Sequence, residues 1–240
     1  MIAVGLILGG IGLADALRPA VTPARRWIVL AAVGGLVFLV GVLAGAPVAA
    51  IIALAAGAAW VWLVPVRGRS RAGFWPAVGL AVLCALCIGV AGRHPSDGLL
   101  AAVWHLDSPV GPVSLDQLVL VVGVVVFLLE SANSVVRVAL AAEGVPTAQT
   151  DAAAPGSALK GGRLIGPIER LIVLSLTLAA AYPLLAAFIA AKGIVRFPEI
   201  SRDSDTGGRA EYFLIGSLVS WVQALAGAFL VWWSFAGYGA

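Results

Sequence analysis

Apolar residues run through this chain in long blocks separated by short stretches rich in Pro, Gly, Arg or Asp, and each block has about the length of a membrane span. A helix that crosses a bilayer needs about 20 mostly apolar residues. On that criterion spans are predicted near 1–17, 27–45, 48–65, 74–91, 116–141, 165–195 and 211–236, giving an all-α polytopic transmembrane helix bundle of about seven spans. The first block has no basic leader and carries Asp15 where a small-residue cleavage site would stand, so it reads as a retained first span. The second and third are joined by Gly45-Ala46-Pro47, a turn tight enough to require an antiparallel hairpin. Gly34, Gly35, Gly41, Gly45 and the alanines of AAIIALAAGAA permit the close backbone approach that holds helices together in lipid.

Polar residues inside or beside these blocks change the picture most. An ionisable group costs about 2.5–3.5 kcal/mol at mid-bilayer on insertion scales, so it normally has a partner or a task. In the fifth block Glu130, Asn133 and Arg137 follow i, i+3, i+7 spacing and share one face, with Ser134 beside them. Two readings stand: an interhelical polar clamp, or a path for protons, ions or substrate. In the rear blocks Glu169 and Arg170 are placed at the inner start of the sixth helix, after a Pro167 that suits a first helical turn. Lys192 and Arg196, four apart, are placed at its far end, where both can snorkel to the outer interface, and Pro183 should bend it midway. Structural ion pairs are expected here, with Lys192 or Arg196 meeting Glu199 or Glu211.

Two connections stand out. Residues 92–115 form an extracytoplasmic loop holding both histidines, His94 and His105, with Asp97 and Asp107. Imidazole and carboxylate suit zinc or manganese, but no regular element fixes their spacing and an exposed polar loop carries such residues by default, so no metal is assigned. Within this loop 99–104 reads as a short interfacial helix with Trp104 at headgroup depth. Residues 143–162 are Ala, Gly, Pro, Ser and Thr rich and read as a flexible cytoplasmic linker. It separates the front helices, 1–142, from a C-terminal two-helix membrane module, 163–240.

Composition agrees with the pattern. Hydrophobic residues are 61% of the 240 and charged residues 11%, with a mean hydropathy of +1.05, whereas soluble domains carry roughly 25% charge. The net charge of +3 gives no reason to expect nucleic acid, because the basic residues flank membrane segments. Ten of the fifteen lie on one side of the predicted topology, so the positive-inside rule puts the N-terminus outside and the C-terminus in the cytoplasm. Heavy use of Ala, Val, Gly and Arg is that of a GC-rich bacterial genome, hence a bacterial plasma membrane. Cys84 and Cys87 sit three apart in an apolar run with no nearby His, and read as small packing residues.

The runs GGRLIGPIERLIVL, AAKGIVRFPEI and AEYFLIGSLVS carry a resemblance. In that order they are similar to the C-terminal part of an uncharacterised family of prokaryotic integral membrane proteins, whose tail reads IG-x-x-ER, AAK-x-I-x-RF, AEY-x-(L/I)-IG-(S/T). The likeness covers roughly 161–220. The family's front half carries a His four residues before an Asp, and a DQ-x-x-H, which implies metal or proton chemistry there. Here Asp15 is preceded by Ile11, and Asp116-Gln117 is followed by Leu120. The resemblance therefore implies a rear architecture and no activity.

Three functions follow as expectations. The first is a non-catalytic membrane subunit or scaffold, partnered by the bilayer and by other membrane subunits or its own copies. A small transporter or channel using Glu130, Asn133 and Arg137 is the second. The third is a membrane-embedded enzyme acting on a lipid-linked substrate. No P-loop, dinucleotide fingerprint, HExxH or G-x-S-x-G occurs in a supporting context, and no cofactor is expected.

Overall fold

In the computed structural model the described residues are 1–65, 72–91, 96–108, 111–142, 162–201 and 208–236. They form an all-α bundle: α1 Ile2–Leu17, α2 Pro23–Leu43, α3 Pro47–Leu63, α4 Trp75–Ala91, the short α5 Leu99–Val103, α6 Leu115–Val126, α7 Ala132–Ala142, α8 Gly162–Leu178, α9 Tyr182–Ser201 and α10 Gly208–Phe235. A two-residue ribbon, β1 Asp107–Ser108 against β2 Gly111–Pro112, follows α5. The expected linker lies, but for Gly162, outside the described residues. Among the described residues four helical stretches are long and apolar enough to cross a membrane: Ile2–Ala20, Pro23–Leu43, Leu115–Ala142 and Phe213–Phe235. Pro47–Leu63, Trp75–Val90 and Tyr182–Val195 are apolar but shorter.

The N-terminal helix is the axis of the bundle. It is apolar on every side, a pattern that only a buried helix tolerates, and it packs on α6, α3, α2 and the segment between α6 and α7. Its glycines make backbone-to-backbone contact. A Cβ at Gly5 would stand 2.6 Å from the Val119 carbonyl carbon, and one at Gly12 would stand 2.8 Å from that of Val126. Gly5, Gly9 and Gly12 thus lay α1 backbone against α6 backbone, the two helices running parallel. Such contact replaces the hydrophobic drive that is missing between helices in lipid.

The second and third helices form the expected hairpin. Gly45 has φ +78°, the Gly45 amide donates to Val42 and the Ala46 amide to Gly41, so the left-handed residue closes α2 and Pro47 opens α3. Gly41 admits the Ala50 methyl, whereas a Cβ at Gly35 would touch nothing within 4 Å, so Gly35 is not part of the close seam.

The rear half departs from expectation. Instead of one helix over 165–195 bent at Pro183, the chain breaks at residues 179–181 and reverses. Ala180 takes φ +52°, its amide donates to Thr177 and the Ala181 amide donates to Leu176. That is the bond pattern of a Schellman closure with alanine at the position glycine usually takes. Pro183 sits harmlessly in the first turn of α9, and Pro167, expected at a helix start, lies inside α8. Lys192 Nζ meets Glu169 Oε2 at 2.5 Å across a separation of 23 residues. In continuous helix those residues would be about 34 Å apart. α8 and α9 are therefore the legs of a helical hairpin, and the described residues of the C-terminal module form three helices.

α10 runs antiparallel to α6–α7: Gly216 lies near Val136, Gly227 near Val124, and Gln117 Nε2 donates to the Ser234 carbonyl at 3.2 Å. Met1 lines the same cleft as Asp116. The first helix begins and the last one ends at the same end of the bundle. A left-handed alanine costs about 1–2 kcal/mol, so Ala180→Gly should raise the unfolding free energy in detergent by about 1 kcal/mol. Tryptophan fluorescence melts would read it, and a destabilised Ala180→Gly would speak against the reversal at this residue.

Candidate functional site

Two polar clusters stand out among the described residues of the bundle. One is built around Arg170. The helix Leu115–Ala142 contains a π-helical turn at Phe127–Ser131, where the regular i to i−4 ladder is interrupted. A carbonyl there is open to a side-chain donor, and Arg170 Nε donates to the Leu128 oxygen at 2.7 Å. Nη2 donates to Asn133 Oδ1 at 2.7 Å and Nη1 to Ser220 Oγ at 3.3 Å. One guanidinium thereby joins α8, the π turn, α7 and α10 while only 1% exposed.

The expected stripe divides between two neighbours. Asn133 faces Arg170, but Arg137 Nη2 donates to the Pro65 carbonyl at 3.0 Å, beyond the end of α3. Glu130 lies half-buried in the π turn itself, where i, i+3, i+7 spacing no longer describes a straight face. The expected ion pair also has a different partner. Lys192 pairs with Glu169 rather than Glu211, and its Nζ lies over the rings of Trp221 at 5.4 Å and Phe213 at 5.7 Å. The reason is the reversal at Ala180, which carries Lys192 back beside the middle of α8. Glu211 is exposed, and the side chains of Arg196 and Glu199 lie outside the described residues.

The other cluster was not anticipated. Asp15 receives Arg18 on Oδ1 and Trp60 Nε1 on Oδ2, the latter at 3.0 Å, and Arg18 Nη1 donates to the Val64 carbonyl at 3.2 Å. Asp15 and Arg18, three apart on one helix, were the available signal; Trp60 was not, because tryptophans near span ends read first as interface anchors. Asp116 and Gln117 are likewise buried at the far end of the bundle, Asp116 accepting from Ser96 Oγ at 2.5 Å and Gln117 forming a reciprocal cap with Ser114. The pattern S-x-x-Q before an apolar run is a sequence signature of such a cap.

The loop candidates do not converge. His94 lies outside the described residues. Asp97, His105 and Asp107 are exposed, and the His105 ring Nδ1 sits 3.1 Å from the Val103 carbonyl. Among the described residues no group of three or more His, Cys, Asp or Glu is placed to hold a metal ion. Ile11 and Leu120 are both 0% exposed in the apolar core.

An arginine that spends its donors on two neutral oxygens and a hydroxyl fixes geometry and does not exchange protons. Removing one partner leaves a buried group unsatisfied, at about 1–3 kcal/mol. Asn133→Ala should therefore cost about 1–3 kcal/mol, Arg170→Ala should cost more, and the double variant less than their sum. A thermal-unfolding cycle in detergent tests it, with strict additivity counting against the contact. Comparison with protein-family models, curated proteins and solved structures finds no match, so the site is read from its own geometry.

Proposed function

We propose that this chain is a non-catalytic membrane subunit or scaffold. The observation that carries the reading is the occupancy of Arg170, whose bonds go to Leu128, Asn133 and Ser220 and clamp four segments together. Asp15 is engaged in the same way, with both oxygens bonded to Arg18 and Trp60. Groups held like this set helix register. A second reading, a small transporter or channel, is favoured by two clefts of about 560 and 680 Å³ toward opposite ends of α1, one reaching Met1 and Asp116, the other Arg26 and Pro65.

A topology in a bacterial plasma membrane goes with the first reading. Gln117 bonded to Ser234 and Lys192 bonded to Glu169 support an even number of crossings with α8–α9 as a re-entrant hairpin. The C-terminus then lies outside with the N-terminus, in contrast to the cytoplasmic end expected from the sequence. The side that would face the cytoplasm collects fourteen of the fifteen basic residues, leaving Arg93 outside. That is a steeper positive-inside bias than ten against five.

Native mass spectrometry of gently extracted protein tests the function. A second chain at fixed stoichiometry is the expected result. A lone chain whose Glu130→Ala variant folds normally yet loses a transport phenotype would move the conclusion to the second reading. Topology is tested separately with Cys84 and Cys87 replaced by Ala and single cysteines placed at Lys160 or Ala240. An impermeant maleimide on intact cells should label the cysteine at 240 and spare that at 160; a protected 240 would sink the proposed topology.

A further inference from the structure

The cleft of about 680 Å³ between α1, α2 and α3 combines three features that belong together only in one kind of ligand site. Gly10, Gly34 and Gly57 line it beside Leu30, Val33, Val37 and Leu54, and a Cβ at Gly57 would meet nothing within 4 Å. Its volume falls inside the roughly 300–1,000 Å³ of small-molecule sites. A guanidinium stands at its mouth. Arg26 lines it, half-buried, with an Nε that is buried and has no hydrogen-bond partner. Arg137 donates to the carbonyl of Pro65, and Arg18 to that of Val61 at 3.5 Å, both lining residues. Arg18 is itself buried and paired with Asp15, so Arg26 is the cation that the cleft presents. Trp27 and Trp62, 73% and 65% exposed, flank it, as aromatic residues do at headgroup depth.

An apolar slot that ends in the Arg26 guanidinium beside exposed tryptophans matches a molecule with a hydrocarbon chain and an anionic head. From this we propose that the α1–α2–α3 cleft binds an anionic phospholipid, one acyl chain lying over Gly57 and Gly34 and the phosphate meeting Arg26. Basic pockets between membrane helices recognise lipid heads in this way, each cation near the surface giving roughly a fivefold gain in affinity. The site is separate from the Arg170 clamp and does not depend on the subunit reading.

The test uses the full chain in nanodiscs of phosphatidylglycerol mixed with phosphatidylcholine, with lipid retained after mild extraction read by native mass spectrometry. Preferential retention of phosphatidylglycerol is expected. Arg26→Gln should lower it about fivefold, while Arg25→Gln, which removes the same charge from an exposed neighbour outside the cleft, should leave it nearly unchanged. Gly57→Leu puts its Cβ into open space in the slot and should expel the lipid with the fold intact, checked by circular dichroism. Equal retention of the two lipids, equal losses in Arg25→Gln and Arg26→Gln, or an indifferent Gly57→Leu would each overturn the proposal. So would full displacement by inorganic phosphate, which would make the site one for the free anion.

Discussion

A guanidinium in the interior of a membrane bundle has no water to fall back on, and the rear of this protein is assembled around that constraint. Arg170 takes its acceptors from three different elements, Leu128 in the π turn, Asn133 on α7 and Ser220 on α10. Shifting any one of them leaves a charged donor unsatisfied where desolvation is costly. The π turn is part of the same arrangement: a wound-out turn loosens its ladder, and the Leu128 carbonyl it offers is the acceptor Arg170 uses. Clamp and bulge are two halves of one contact. α8, the first leg of the rear hairpin, is held to the front helices through it.

The front half solves the same problem by different means. α1 carries Asp15 as its single ionisable side chain before Arg18, and everything else about it is small or apolar. Gly5, Gly9 and Gly12 bring it against α6 at backbone distance, so dispersion over a long seam does what three hydrogen bonds do around Arg170. The Asp15–Arg18–Trp60 cluster lies where α1 emerges, and there Arg18 also caps carbonyls at the end of α3. Glycine floors of this kind leave space wherever a neighbouring helix does not fill it, which is how the cleft over Gly57 arises next to helices that are otherwise closely packed.

Much of the fold was legible because lipid imposes a simple rule on length and polarity. The front helices, the Gly45 hairpin and the short helix before Trp104 follow from apolar blocks and turn residues. What the blocks could not show is which faces meet. The α1–α6 seam was missed because Gly5, Gly9 and Gly12 look no different in sequence from Gly35, which touches nothing. The stripe Glu130, Asn133, Arg137 was legible as polar, but the spacing argument assumed regular helix through residue 130, where the chain makes a π turn. Arg170 was placed near a helix start and expected in an ion pair, because its neutral partners are a carbonyl, an amide and a hydroxyl that no charge pattern reveals.

The reversal at Ala180 shows the limit most clearly, since the same closure was read correctly once and overlooked once. In both hairpins an amide three residues past the helix end bonds back five residues, Ala46 to Gly41 and Ala181 to Leu176, and a proline lies in the first turn of the following helix. Gly45 announces the first turn because glycine reaches positive φ without strain. Ala180 does not, and Ala179-Ala180-Ala181 has the strongest helix propensity of any tripeptide, so the pattern runs straight on to Pro183. What reverses the chain is not local preference. The Lys192–Glu169 pair and the two rings over Lys192 can form only if α9 folds back along α8, and a partly buried charge pair with ring contacts offsets the roughly 1–2 kcal/mol of one left-handed alanine. The Schellman bonds complete the balance by leaving none of the turn's amides unpaired, which a loop at membrane depth requires.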